Sequence, residues 1–150
     1  MLNVIPFKKE HVLDIKTRFA FSHEGKLSLA QNEGCPAYTV MDGNEVIAIG
    51  GVSLMWQGVG EAWMVVSERG YSMPVSVAKY SIYLFNHIEE FHKFHRIQAS
   101  VSVIDETANR FVNWLGFEIE GIMPKYGLDK SDYFRYARIA SSKSLCFNIS

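Results

Sequence analysis

The sequence predicts a single α/β domain, a twisted mixed β-sheet with helices on both faces, and three observations carry that expectation. Val101 to Gly121 reads as a β-branched strand running into a short helix, which Leu115-Gly116 closes before a second strand begins at Phe117. Asp42-Gly43-Asn44 separates two β-rich runs, the pattern of a hairpin whose glycine accepts the positive φ of a tight turn. A strand that ends near Ser67 is followed by a helix from Pro74 to about Phe94, with Val77, Ala78, Leu84, Phe85, Ile88 and Phe91 along one side, a stripe that packs on a sheet.

Taken in order, Val4-Ile5-Pro6-Phe7 is a first strand, and Val12, Ile15 and Phe19 repeat at helical spacing in a first helix that runs to about Phe21. Ser22 to Pro36, with Gly25 and Gly34, reads as a loop or a second short helix. Tyr38–Met41 and Glu45–Ile49 form the hairpin, and Glu61–Ser67 is the next strand. Ser72 is placed to cap the long helix and Pro74 suits its first turn. Arg96–Val103 is a strand, Asp105–Leu115 a helix capped by Asp105, and Phe117–Ile122 with Tyr133–Ile139 an antiparallel pair around the Lys125–Asp132 loop. The domain is expected to span 1–140, and 141–150, too apolar for a solvated tail, to dock on it or on a neighbour.

With 150 residues the chain has the size of one domain, enough to bury roughly two-thirds of its unfolded surface. Its 48% hydrophobic and 13% aromatic content implies order nearly throughout. Lys and Arg number 15 against 16 Asp and Glu, so no excess of cations exists to release counterions from a nucleic acid. No stretch is long and apolar enough for a membrane span, and Met1–Pro6 lacks the basic and apolar segments of a leader, which implies a soluble protein of the cytoplasm in which it is made. Cys35 and Cys146 lie far apart without metal-site spacing, so reduced thiols are expected.

The order of these elements, with Asp105-Glu106-Thr107-Ala108 leading into Leu115-Gly116-Phe117, resembles the GNAT superfamily of acetyl-CoA-dependent N-acetyltransferases over about Val4 to Ile139. Within it, Ala48-Ile49-Gly50-Gly51, Ala62-Trp63-Met64-Val65-Val66-Ser67 and the Leu-Gly-Phe corner resemble the GNAT-like internal virion protein A family of short-tailed coliphages. The resemblance implies acetyl-CoA as cofactor, held where the strand ends and the long helix begins, at Val66, Ser67, Arg69, Gly70, Tyr71 and Ser72. In the superfamily that turn follows a Gln/Arg-x-x-Gly-x-Gly/Ala pattern, because backbone N–H groups at a helix N-terminus hold the diphosphate. Here Gly70 is the sole glycine of the turn, Tyr71 and Met73 are bulky, Glu68 adds negative charge and Pro74 lacks a donor, so the cradle reads as degraded, with Arg69 as the residue able to compensate.

Many members place a tyrosine four residues before the glycine of the Leu-Gly-Phe corner, where its hydroxyl protonates the departing thiolate; the corresponding residue is Val112, which has no proton to give. Carboxylates on or just after the fourth strand serve as base in some members, which nominates Glu61 and Glu68, although each also reads as an ordinary strand or loop carboxylate. His92 and His95 share a helix face but have no carboxylate spaced to complete a metal set, so no metal is expected. Trp56, Trp63 and Trp114 with Phe85, Phe91, Phe94 and Phe111 read as core, or else as an acyl groove. The alternation in Tyr133–Arg138 fits a half-exposed edge strand better than an RNA-stacking surface.

Together these imply a phage-encoded GNAT-like protein, catalytically degenerate, that serves in virion assembly or inside the virion through contacts with viral or host proteins, as an oligomer or not. An active acetyl-CoA-dependent N-acetyltransferase using Glu61 or Glu68 is the second reading, and a binder of a host protein the third.

Overall fold

The computed structural model describes residues 1–17 and 23–140; the expected end of the first helix at 18–21 and the 141–150 segment with Cys146 lie outside them. The elements run β1 (Leu2–Pro6), α1 (Glu10–Asp14), α2 (His23–Ala30), β2 (Ala37–Asp42), β3 (Glu45–Trp56), β4 (Val59–Val66), α3 (Glu68–Tyr71), α4 (Pro74–Phe91), β5 (Arg96–Ser102), α5 (Glu106–Trp114), β6 (Glu118–Met123) and β7 (Tyr133–Ile139). Among the described residues the strands make one seven-stranded mixed sheet. Contacts divide the chain into two compact units, Met1–Ser53 with Ala62–Ile88, and Leu54–Glu61 with the residues from Glu89 onward.

In the first unit β1, β2, β3 and β4 are neighbours in that order. The β2–β3 register places Asp42 opposite Glu45 and Ala37 opposite Gly51, and Gly43 turns at φ 60° as the Asp-Gly pair predicts. Side chains alternate along β4: Trp63 and Val65 join Phe7, Val12, Ile15, Val46 and Ile49 in one cluster, while Met64 and Val66 join Val40, Ile47, Ala48 and Val77 in another. β3 is covered on both faces, which is why Val46-Ile47-Ala48-Ile49 is a continuous apolar run rather than an alternating one. Ile47 and Ile49 are fully buried, each worth ~2 kcal/mol by transfer.

In the second unit the start of β4 pairs in parallel with β5 over Val59–Glu61, β5 pairs antiparallel with β7, and β7 with β6. One face of this portion is apolar, with Ile97, Ala99 and Tyr136 buried and Val112, Leu115 and Phe117 supplied by α5 and its exit. The other carries Arg96, Gln98, Ser100 and Arg135, because residues two apart share a face. Asp105 caps α5 by accepting the Ala108 N–H at 3.0 Å, and Gly116 leaves the helix at φ 92°, both as expected.

Several expectations are corrected. The first helix is a single turn and a half, Glu10–Asp14, because Ile15 is already extended at ψ 128°. Of the two readings of Ser22–Pro36, the second short helix holds, as α2. Ser72 does not cap the long helix; its hydroxyl donates to the Arg69 carbonyl at 2.6 Å and closes α3, a turn the sequence did not suggest. Tyr133–Ile139 is not an edge strand, since β7 lies between β5 and β6.

Candidate functional site

β4 ends at Val66, and Ser67 at its tip has extended backbone, φ −69° and ψ 163°. That geometry lets its hydroxyl accept the Gly70 N–H at 2.9 Å, an N-cap that winds Glu68–Tyr71 into α3. Within this turn the N–H groups of Ser67, Glu68, Gly70, Tyr71, Ser72 and Met73 are spent inside the chain. Ser67 donates to the Ile47 carbonyl at 2.9 Å, Glu68 to Lys16 at 2.8 Å, Tyr71 to Ser67 at 3.2 Å, and Ser72 and Met73 to Arg69 and Gly70 at 3.0 Å each. Pro74, which follows, has no N–H to offer.

Gly70 is buried against the sheet rather than presented to a ligand. A Cβ there would stand 2.6 Å from Val66 Cγ1 and 2.8 Å from the Ile47 carbonyl oxygen, so glycine is required for α3 to lie on β3 and β4. Tyr71 and Arg69 point outward, and Val66 is half-buried with its methyl against Gly70.

The Arg69 guanidinium meets the carboxylates of the β2–β3 hairpin, with Nη2 2.5 Å from Asp42 Oδ2 and Nη1 on Glu45. The hydrogen bond from Arg69 holds Asp42 below the usual carboxylate range, and the bonds to Glu45 and Asp42 raise Arg69 further above its ordinary value. Beside this clamp lies an open cleft of about 380 Å³ lined by Lys16, Glu45, Ser67, Glu68, Arg69 and Ser72. Glu68 stands exposed at its border.

Glu61, the other candidate base, sits in the second unit under a full set of donors. Arg135 Nη1 lies 2.9 and 3.1 Å from its two oxygens, Gln98 Nε2 donates at 2.9 Å to one and Ser100 Oγ at 3.1 Å to the other. The β4–β5 register sets Glu61 opposite Gln98, and β7 brings Arg135 opposite Ser100. Each oxygen thus accepts two hydrogen bonds, which occupies about all four lone-pair sites of a carboxylate. Arg96 and Glu120 pair next to it at 2.6 Å.

Val112 is buried in α5 and its carbonyl accepts the Phe117 N–H at 3.2 Å, so the position is core. The buried Tyr136 hydroxyl donates to Asn109 Oδ1 at 2.7 Å, and burial raises its pKa above the ordinary 10.0. Of the aromatic set, Trp63 packs edge-on to Phe7 at 5.4 Å, and Trp56 and Trp114 are more than half exposed. Among the described residues no three His, Cys, Asp or Glu side chains converge as a metal set, and no helix is long and apolar enough to cross a membrane.

The structure therefore gathers Ser67, Glu68, Arg69, Gly70 and Ser72 in one turn and sets Glu61 in a separate network. Sequence reasoning missed the partners that define both: Asp42 and Glu45 for Arg69, and Gln98, Ser100 and Arg135 for Glu61. The hairpin was legible, and its flanking carboxylates were the available signal.

Ard1 from Thermoplasma volcanium superposes with TM-score 0.74 at 17% identity, covering 93% of this chain and 98% of that one. The fold is that of the GNAT acetyltransferases. An acetyltransferase of the GNAT family from Bacillus anthracis matches with TM-score 0.71 at 15% identity over 92% and 94% of the two chains. The ribosomal-protein-S18-alanine N-acetyltransferase from Escherichia coli matches with TM-score 0.71, also at 15% identity, over 94% and 95%. No protein-family model matches the sequence, and neither does any curated protein.

Proposed function

We propose that this GNAT-fold protein does not run acetyl transfer through the Ser67–Pro74 turn and acts instead through contacts with other proteins, as a phage-encoded component of virion assembly or of the virion interior. One observation carries the first half of the reading: six amides of the turn, those of Ser67, Glu68, Gly70, Tyr71, Ser72 and Met73, are spent on Ile47, Lys16, Ser67, Arg69 and Gly70. A ligand taking those donors would have to break the turn that supplies them. The neutralised Arg69, the saturated Glu61 and the buried Val112 agree with it, since they remove the arginine, one of the two candidate bases and the acid expected at those positions. Support for the virion setting is the sequence resemblance at Ala48–Gly51, Ala62–Ser67 and Leu115–Phe117. On this reading the protein is made in the host cytoplasm, and its partners are viral or host proteins.

A second reading, an acetyl-CoA-dependent N-acetyltransferase, is favoured by the cleft that Lys16, Ser67, Arg69 and Ser72 line at the same turn. Titration calorimetry with acetyl-CoA separates the two. The proposal expects no heat at millimolar cofactor, and micromolar binding would overturn it. Binding of a host protein instead of a viral one would appear as capture of that protein by the intact chain.

A further inference from the structure

β3 outruns its register with β2. That register ends where Ala37 stands opposite Gly51, and the Val52 N–H donates to the Pro36 carbonyl at 2.9 Å, but the strand continues to Trp56. In the overhang Leu54, Met55 and Trp56 are 60, 45 and 61% exposed, three consecutive large apolar side chains at one strand end. Gly51–Gly60 holds no charged residue. Sheets blunt an open edge with charge, as β6 does with the exposed Glu118 and Glu120, so the uncharged end of β3 is a surface that calls for a cover.

The described chain ends beside that surface. Ala140 donates its N–H to the His95 carbonyl at 3.1 Å, and His95 donates its own to the carbonyl of Gly58, two residues after Trp56, at 2.9 Å. Leu54–Glu61 and the residues from Glu89 onward belong to the same compact unit. Crossing from Ala140 to Gly58 takes two strand spacings, about 10 Å, and returning from Gly58 to Trp56 adds at most about 7 Å. Five extended steps from Ala140 to Leu145 cover about the same 17 Å. The residues after Ala140 match that path in chemistry: Ser141-Ser142-Lys143-Ser144 is polar, and Leu145-Cys146-Phe147-Asn148-Ile149 places large apolar residues at alternate positions. Lys143, the one charged side chain of 141–150, falls in the polar part.

From this juxtaposition we infer that residues 145–149 dock in cis on the overhang of β3, with Leu145, Phe147 and Ile149 covering Leu54, Met55 and Trp56. The polar residues 141–144 serve as the tether. The inference is independent of whether the Ser67–Pro74 turn binds a cofactor.

NMR of the full chain tests it, since the three tryptophans give three indole N–H signals and Trp56→Phe identifies one of them. Leu145→Ser/Phe147→Ser should shift the Trp56 signal and leave those of Trp63 and Trp114 in place. Reciprocally, Met55→Ser/Trp56→Ser should move the amide shifts of 145–149 to those of a synthetic 141–150 peptide, whereas Ile119→Ser/Ile122→Ser on the exposed β6 should leave them unchanged. The 145/147 variant keeps the inference testable if the strand variant does not fold. Amide shifts of 145–149 that already match the free peptide in the parent chain would overturn the docking, as would a response to the β6 variant. A Trp56 signal that changes on dilution, with light scattering giving the mass of two chains, would assign the cover to a second copy and overturn docking in cis.

Discussion

Arg69 and Asp42 lie 27 positions apart in sequence, yet the guanidinium Nη2 of one stands 2.5 Å from the carboxylate of the other, and Glu45 closes on the second nitrogen. The one arginine of the candidate turn is thereby matched to a hairpin instead of being left for a ligand.

Releasing that clamp is the direct way to ask whether the arginine alone makes an anion site. Asp42→Asn/Glu45→Gln removes both counter-charges without shortening either side chain. Because the turn amides remain committed, coenzyme A binding by calorimetry should improve by no more than about tenfold, staying in the millimolar range. A gain to micromolar affinity would show that the hairpin, and not the amides, keeps the cofactor out.

The Glu61–Arg135 pair should behave as a structural ion pair. Glu61→Gln leaves a guanidinium that is 22% exposed without its counter-charge and should cost about 1–3 kcal/mol in urea unfolding. Glu61→Met/Arg135→Met removes both charges and should recover much of that loss, since the penalty lies in the stranded partner. Additive losses in the double variant would mean that the two residues act separately.

How much of this was legible follows from the range of the forces involved. The hairpin, the Asp105 cap, Gly116 and the apolar stripe of α4 as far as Ile88 are local, each set by neighbours within about one helical turn, and were readable, whereas Phe91, read into the same stripe, is 70% exposed. The partners of Arg69 and Glu61 were not, because opposite charges 27 and 74 positions apart meet only once strand order is known. The same holds for β7: the alternation of Tyr133–Arg138 reads as an edge strand, but Arg135 turns to Glu61 and Arg138 to the Leu115 carbonyl at 3.1 Å, which satisfies both cations inside the sheet. The first helix was overextended since Phe19 continues its spacing, whereas the backbone already becomes extended at Ile15.

Gly70 tests whether the turn is built for packing. Gly70→Ala would drive a methyl to 2.6 Å from Val66 Cγ1 and 2.8 Å from the Ile47 carbonyl, so a loss of about 1–3 kcal/mol is expected from thermal or urea unfolding. If the alanine variant kept full stability, the buried placement of α3 on β3 and β4 would be wrong.

Tyr136 governs the alkaline limit of the second unit. Its buried phenol donates to Asn109 and has a pKa raised above 10.0, chiefly by burial. The folded state therefore keeps a proton that the unfolded state gives up, so stability holds below pH 10 and falls as pH climbs from there through the folded value. Tyr136→Phe should cost about 0.5–1.5 kcal/mol at neutral pH through the lost hydrogen bond, and should flatten the alkaline loss relative to the parent chain. Urea midpoints of both proteins at pH 8, 10 and 11 give the comparison, in which lysines and other tyrosines cancel. Parallel losses in the two would remove the phenol from the alkaline transition.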